Sequence, residues 1–174
     1  MKEYPHLALD CKVIHDDVIT IADSLFYNLL NLHHVKFSPY SIVTTFGSLA
    51  FSRSGLKHIK IPDSVEIIEG ECFFDCKELR HVDISPSSNL KILGSYAFSG
   101  TRIKEIFIPN GVTEIQAGCF RDCYHLKQCI FGNHSKLAII GDVAFQGTGM
   151  ISMSLPHCVQ FLGRDWFESL IINI

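Results

Sequence analysis

One segment of this chain is repeated 47 residues further on, and that repeat constrains the fold more than any other feature. Residues 67–82 align with residues 114–129, which places Phe73 over Phe120 and Cys76 over Cys123. Seven phenylalanines mark the units: Phe26, Phe51, Phe73, Phe98, Phe120, Phe145 and Phe167. Their spacing alternates between 25 and 22 residues. A period of this size is typical of a solenoid, whose units stack only on their neighbours. The marker phenylalanines are therefore predicted to form a buried spine.

A six-residue pattern recurs in each unit and predicts a strand. Its first, fourth and sixth places are apolar, and the fourth and sixth alternate with the third and fifth, which is the period of a strand with one buried face. The six copies begin at Leu32, Leu56, Leu79, Ile103, Leu126 and Met150. Tight turns such as residues 62–64 alternate with longer polar turns such as 85–89, which accounts for the two spacings. We expect the six strands to stack into one parallel sheet. A short second strand and one helical turn around the phenylalanine are expected to complete each unit.

The repeat also predicts how the chain is divided. Residues 1–13 are interpreted as a lead-in, and residues 14–174 as a single solenoid of about six to seven repeats. The last repeat is expected to be incomplete, because the sequence stops at Ile174 before a full strand. A solenoid end without a polar cap leaves core positions open to water. Either the chain is cut from a longer array, or another molecule covers this end; end-to-end self-association would be one result.

Seven cysteines are present, and four of them belong to the repeat. Cys72 and Cys76 recur as Cys119 and Cys123, two rungs away. Two rungs are roughly 9.6 Å apart at a strand spacing of ~4.8 Å. That exceeds both the ~7 Å Cα limit for a disulfide and the ~4.6 Å between two sulfurs on one zinc ion. We therefore predict four small buried core side chains. The odd total favours reduced thiols.

Composition and motifs exclude several classes of function. The formal net charge is -3, whereas nucleic-acid binding usually shows as a basic excess. No run of ~20 apolar residues could span a bilayer, and six charged residues among the first 17 leave no apolar signal-peptide core. The sequence contains no phosphate-binding loop, nucleophile elbow or zinc-protease motif. It predicts no enzyme, no cofactor and no nucleic-acid partner.

Three recurring motifs carry a resemblance to a known family. They are Ile-Pro-x-x-Val-x-x-Ile from Ile61, Gly-x-x-Ala-Phe from Gly94, and Asp-Cys-x-x-Leu from Asp75. Over residues 14–167 the chain resembles the BspA-like, or Treponema pallidum-type, leucine-rich repeat, in the branch expanded in parasitic protists. Departures include Arg53-Ser54 in place of Gly-Thr, and Trp166 in place of the repeat cysteine.

The resemblance implies a β-rich repeat solenoid, a right-handed superhelix with a parallel concave sheet and short strands or helical turns on its convex side. It also implies a binding protein at the cell surface, acting in adhesion to host cells or matrix. The absent signal peptide and the free thiols leave a second hypothesis open, an intracellular scaffold for protein partners. Both hypotheses place a protein or glycan ligand on the concave face.

The strand register predicts which side chains form that face. Its N-terminal half is basic and rich in histidine, which favours an acidic partner, and its C-terminal half offers Phe107 and Ile130 as apolar anchors. The predicted partner-binding residues are His34, Lys36, Lys57, His58, Lys60, Arg80, His81, Lys104, Glu105, Phe107, Lys127 and Ile130. A solvated face with no ligand is the simpler alternative.

Two further patterns have simpler explanations than a dedicated site. The outer two of the stacked histidines His34, His58 and His81 would lie roughly 9.6 Å apart, so only two neighbours could share a metal ion; we predict no metal site. Asn133-His134-Ser135 fits the N-glycosylation acceptor pattern. We prefer ordinary turn chemistry as the explanation of this triplet, since Ser and Asn are common in turns.

Overall fold

The computed structural model describes residues 10–167 and 171–173, and all regular structure in those residues is β-strand. In chain order the strands are β1 (Cys11–Ile14), β2 (Thr20–Ile21), β3 (His34–Phe37), β4 (Thr45–Phe46), β5 (His58–Lys60), β6 (Ile67–Ile68), β7 (His81–Asp83), β8 (Ile92–Leu93), β9 (Glu105–Ile108), β10 (Glu114–Ile115), β11 (Gln128–Phe131), β12 (Ile139–Ile140), β13 (Ser152–Ser154), β14 (Phe161–Leu162) and β15 (Ile171–Asn173). Each rung contributes one odd-numbered and one even-numbered strand. The predicted leucine-rich-repeat solenoid is confirmed.

The even-numbered strands form one continuous parallel sheet, in the order β14-β12-β10-β8-β6-β4-β2. The second residue of each of the first six points into the core and is buried: Ile21, Phe46, Ile68, Leu93, Ile115 and Ile140. We call the outer surface of this sheet the convex face. The opposite surface, formed by the odd-numbered strands, is the concave face.

The concave strands do not form the single uninterrupted sheet that the sequence predicts. They divide into β1-β3-β5-β7, β9-β11 and β13-β15. Where equivalent residues of successive concave strands are 23 positions apart in the sequence, the strands pair fully, as β5 does with β7 and β9 with β11. Across the 24-residue steps, β3 and β5 pair only at His34 and His58. At the other two such steps, β7 to β9 and β11 to β13, no pairing joins the described strands. All three steps contain a long polar turn, so the alternation of turn length opens the sheet at every second step.

Strand pairing reaches close to both ends of the described chain. β1 pairs with β3 from Cys11 onward, three residues before position 14, where the solenoid is predicted to begin. β15 pairs with β13 in parallel, in the last unit, which is predicted to stop short of a full strand. Residues 168–170 and 174 lie outside the described residues. End-to-end self-association remains a prediction.

The marker phenylalanines form the predicted spine. The rings of Phe98 and Phe73 are stacked with centroids 5.1 Å apart, and those of Phe98 and Phe120 with centroids 5.5 Å apart. Stacking continues at both sides, from Phe26 to Phe51, Phe51 to Phe73 and Phe120 to Phe145. The last member differs, because Phe167 is tilted by 46° to Phe145 at 6.4 Å. Trp166 is the buried aromatic residue of that rung.

The helical turn expected around each phenylalanine is instead a pair of β-turns. Phe74 N–H donates to Glu71 O at 3.0 Å, and Cys76 N–H donates to Phe73 O at 3.2 Å. Residues two places before and two places after each of the first six marker phenylalanines have positive φ, such as 55° at Tyr96 and 72° at Gly100. A right-handed helix cannot include left-handed residues at this spacing, so the backbone folds back at each of them. These turns position each ring over the ring of the preceding rung.

Candidate binding surface

The four repeat cysteines are buried, unpaired and part of the core, as predicted. The thiol of Cys76 donates to Phe51 O at 3.0 Å, and that of Cys123 donates to Phe98 O at 3.1 Å. Each thiol therefore binds a backbone carbonyl of the preceding rung. Burial raises the pKa of Cys76 and Cys123 to about 11. It also raises the pKa of Cys72 and Cys119 well above the usual value.

We expect native protein at pH 8 to react fastest at the thiol of Cys11. Reaction requires an accessible thiolate, and Cys11 is exposed whereas the four repeat cysteines are buried. Those four should react at least about a hundredfold more slowly and become available only on unfolding. Labelling with a disulfide reagent followed by peptide mapping measures each rate, and Cys11→Ser is the control that removes the fast phase. Rapid labelling of Cys76 in folded protein would contradict the packing described.

The predicted concave residues are accessible to a partner. The exposed members are His34, Lys36, Lys57, His58, Lys60, Arg80, His81, Lys104, Glu105, Lys127 and Ile130. Phe107 is half-buried and lies beside Ile130 in the register of β9 and β11. Alternation along each strand explains this exposure, since the residues between them, such as Val35 and Ile106, point into the core.

The three stacked histidines are in register, but one of them has a carboxylate partner. His34 pairs with His58 and His58 with His81 across neighbouring strands. His58 Nε2 lies 2.9 Å from Asp83 Oδ2 on the next strand. Nearer the N-terminus, His33 Nδ1 lies 2.6 Å from Asp10 Oδ1, and this hydrogen bond lowers the pKa of Asp10. Among the described residues, no three histidine, cysteine or acidic side chains form a group that could hold a metal ion.

The basic residues of the face divide into engaged and free side chains. Arg80 is 3.6 Å from Glu78, and Lys127 Nζ donates to Gly149 O at 3.0 Å. Lys36, Lys60 and Lys104 form no ion pair or side-chain hydrogen bond with any described residue. Free positive charge on this face is therefore centred on the lysines of β3 and β5, with Lys104 further along.

Three cavities lie at the three open steps of the concave sheet. The first, of about 530 Å³, lies between β3 and β5 and brings together His34, Lys36, His58 and Lys60. The second, of about 340 Å³, lies between β7 and β9 and is lined by Lys60, Asp83, Glu105, Phe107 and Ile130. The third, of about 690 Å³, lies between β11 and β13 and is bordered by Lys127, Ile130 and Asn133. The sequence predicts the residues but not the cavities at these steps.

Other predicted residues stay apart from these cavities. Lys57, Arg80, His81 and Lys104 line none of the three. Residues that the sequence analysis leaves out come instead from the turns, since Ser38, Pro39 and Pro62 form part of the wall of the first cavity. Their signal in the sequence is the turn position directly after each strand. Asn133 is exposed in such a turn, and ordinary turn chemistry stays the preferred interpretation of its triplet.

A repeat solenoid with an accessible strand face is the class of protein that the fold and the surface define. Residues 6–127 and 44–173 match the family described as BspA type Leucine rich repeat region, in six copies. The chain belongs to this family. No curated protein matches it.

Solved structures with this fold come from several bacteria. A leucine-rich repeat protein from Bacteroides ovatus is 29% identical, with a TM-score of 0.78, over 89% of this chain and 39% of that chain. The T. pallidum leucine-rich repeat protein is 23% identical, with a TM-score of 0.67, over 88% of this chain and 68% of that chain. A leucine-rich cell surface protein from Faecalibacterium prausnitzii is 21% identical, with a TM-score of 0.55, over 93% and 47%. The chain therefore spans less than half of the Bacteroides protein. No helix among the described residues is long and apolar enough to cross a membrane.

Proposed function

We propose that this chain is a non-enzymatic binding module that takes a protein partner on its concave face, at the cell surface. The observation that carries the proposal is the concave face itself, where free lysines, a half-buried Phe107 and three cavities lie on one surface. Apolar anchors surrounded by polar groups are the usual arrangement of a protein-binding surface. Family membership supports a binding role, and the Faecalibacterium protein of the same fold is a cell surface protein.

A second candidate, an intracellular scaffold, is favoured by one observation. All seven cysteines are free thiols, as in proteins from reducing compartments. The two candidates differ only in location. Biotinylation of intact native cells with a membrane-impermeant reagent separates them, because only a surface protein is labelled before lysis. An unlabelled chain in intact cells, with full labelling after lysis, would favour the scaffold.

Immobilised protein carrying His58→Ala, His81→Ala and Phe107→Ala together should lose a partner that wild type retains from cell extract. The substitutions remove charge and apolar area from the concave face only. The control is Glu66→Ala, whose carboxylate lies 2.6 Å from Lys91 Nζ on the convex side and whose exposed ion pair is worth at most about 1 kcal/mol. Equal retention by all three proteins would place the binding surface elsewhere.

The affinity for that partner should rise as the pH falls from about 7.5 to 6, and fall with added salt. Histidine gains positive charge over this pH range, which strengthens attraction to an acidic partner, while salt screens it. Charged groups near the histidines include Asp10, whose pKa is lowered in part by His34, and Asp83, which already bonds His58. We expect a change of about threefold or more in Kd.

Surface plasmon resonance measures this dependence directly. A chain with all three stacked histidines changed to glutamine is the control, because any pH dependence that it retains comes from the partner or from other groups of this chain. A pH dependence identical to that of wild type would contradict the role of the histidines.

A further inference from the structure

Two lysines without an ion-pair partner among the described residues line the same cavity of the concave face. Lys36 and Lys60 occupy the same place on β3 and β5, which are aligned at His34 and His58. Asp83 lies opposite Lys60 on the other side, but its carboxylate is bonded to His58. Neither lysine forms an ion pair or a side-chain hydrogen bond with a described residue.

The cavity at these lysines is enclosed by groups that already have partners. Ser64 Oγ donates to Ser41 O and Val43 O, and Asp63 Oδ2 accepts from Ser87 Oγ at 2.7 Å. Asp63 is the only carboxylate lining this cavity of about 530 Å³, beside two lysines and two histidines. Lys36 and Lys60 are the charged groups of this cavity that have no hydrogen-bond or ion-pair partner among the described residues, so its chemistry fits an anionic ligand group.

Lys60 also lines the second cavity, where the surface becomes apolar. There it borders Phe107 and Ile130, which lie next to each other across β9 and β11. Glu105 lines this second cavity as well and has no ion-pair partner among the described residues. It would repel an acidic group at that point. The two cavities therefore form one continuous surface with an anion-binding end and an apolar end.

The spacing between these ends matches an extended peptide. Two strand steps separate Lys60 on β5 from Phe107 on β9, which is at least roughly 9.6 Å, because ~4.8 Å is the spacing of paired strands and β7 and β9 are unpaired. An extended chain advances about 3.3 Å per residue, so about three residues cover this distance. An acidic glycan could occupy the lysine end but has no apolar side chain for Phe107 and Ile130. We propose that this surface binds an extended peptide with an acidic residue about three positions from a bulky apolar residue.

This proposal rests on the proposed function and names the class of partner. The probe is a fluorescein-labelled ten-residue Gly-Ser peptide with two adjacent glutamates and a leucine three positions after the second. Its comparison peptides replace leucine with serine, replace both glutamates with glutamine, or move the leucine next to the glutamates. Fluorescence anisotropy gives the Kd of each, and the wild-type chain should bind every comparison peptide at least about threefold more weakly than the probe.

Variants of the chain test which residues form the anion-binding end of the surface and which form its apolar end. The double variant Lys36→Gln with Lys60→Gln should weaken probe binding at least about fivefold. The corresponding double arginine variant should bind the probe as wild type does. Lys136→Gln changes an exposed lysine outside the face and should leave the Kd of the probe unchanged. Phe107→Ser should remove the difference between the leucine and serine peptides. Thermal unfolding of each variant verifies that it is folded.

Three results would overturn the proposal. They are equal binding of the leucine and serine peptides, an unchanged affinity in the double lysine variant, or tight binding of a sulfated oligosaccharide that the peptide does not displace. The proposed function is judged separately. If the concave triple variant loses the partner captured from extract while the double lysine variant retains it, the concave face binds a partner but the acidic-peptide assignment is wrong.

Discussion

Replacing Phe98 with alanine should lower the free energy of unfolding by about 3 to 5 kcal/mol. The side chain is completely buried, and its ring stacks on Phe73 at 5.1 Å and on Phe120 at 5.5 Å. Alanine removes the ring and leaves a cavity that both neighbouring rings border. Backbone bonds hold the rungs in place on both sides, since Phe98 N–H donates to Cys119 O at 2.8 Å. The cavity therefore cannot collapse easily, which places the loss in the upper part of the range for core substitutions.

Denaturant unfolding followed by circular dichroism measures this loss. Phe161→Ala is the matched control, because Phe161 is 55% exposed on the convex face and its loss should cost less than about 1 kcal/mol. Rungs in a solenoid are coupled to their nearest neighbours, so amide exchange in the two flanking rungs should also accelerate. A midpoint for Phe98→Ala equal to that of wild type would show that the spine does not stabilise the fold.

The solenoid could be predicted from the sequence because the same six-residue pattern recurs six times. A single segment such as residues 79–84 would be ambiguous between a strand and a short buried helix. Recurrence of its apolar places, together with phenylalanines at a fixed spacing, removes that ambiguity. The burial of the spine from Phe26 to Phe145 and of the four repeat cysteines followed from this recurrence alone.

The backbone of the phenylalanine turns was predicted wrongly, as helical. A partial signal was available, since Asn28, Asp75, Gly100, Asp122 and Gly147 all occupy the place two residues after a marker phenylalanine. Glycine, asparagine and aspartate are the residues that most readily adopt positive φ. The other left-handed place gave no comparable signal. Gly118 and Asp165 favour positive φ there, but the same place is also occupied by Ser24, Leu49, Glu71, Tyr96 and Val143. Tertiary packing holds these five in a conformation that they disfavour.

The sequence predicted which residues form the concave face, but it did not predict how these residues are arranged. Alternation along a strand tells which side chains point outward, so the exposure of His34 and Lys60 could be derived from the register. The bond between His58 and Asp83 depends on a diagonal contact between strands. The cavities lie at the steps where neighbouring strands pair incompletely or not at all. Neither the hydrogen bond between His58 and Asp83 nor the cavities can be predicted from the sequence of one repeat alone.

Replacing Gly94 with alanine should destabilise the protein by at least about 3 kcal/mol, the upper end of the usual range for overpacking. A Cβ at this position would lie 2.5 Å from the carbonyl carbon of Glu69 and 2.6 Å from the backbone nitrogen of Gly70. Both are backbone atoms of the preceding rung, so no side-chain rotation can relieve the clash. Gly94 N–H also donates to Ile68 O at 2.8 Å, and moving the rungs apart would weaken that bond. The same close approach recurs at Gly47 and Gly141, at the 47-residue period of the repeat.

A nearby glycine separates this clash from the general effect of adding a methyl group. A Cβ on Gly70 would meet only Ser95 O, at 3.4 Å, and Gly70 does not have positive φ. Gly70→Ala should therefore change the free energy of unfolding by less than about 1 kcal/mol, and alanine's smaller unfolded-state entropy favours a slight gain. Denaturant unfolding of the two variants in parallel measures the difference. Equal stability of Gly94→Ala and Gly70→Ala would mean that the rungs can separate without loss, and that their spacing is not set by backbone contact at the glycines.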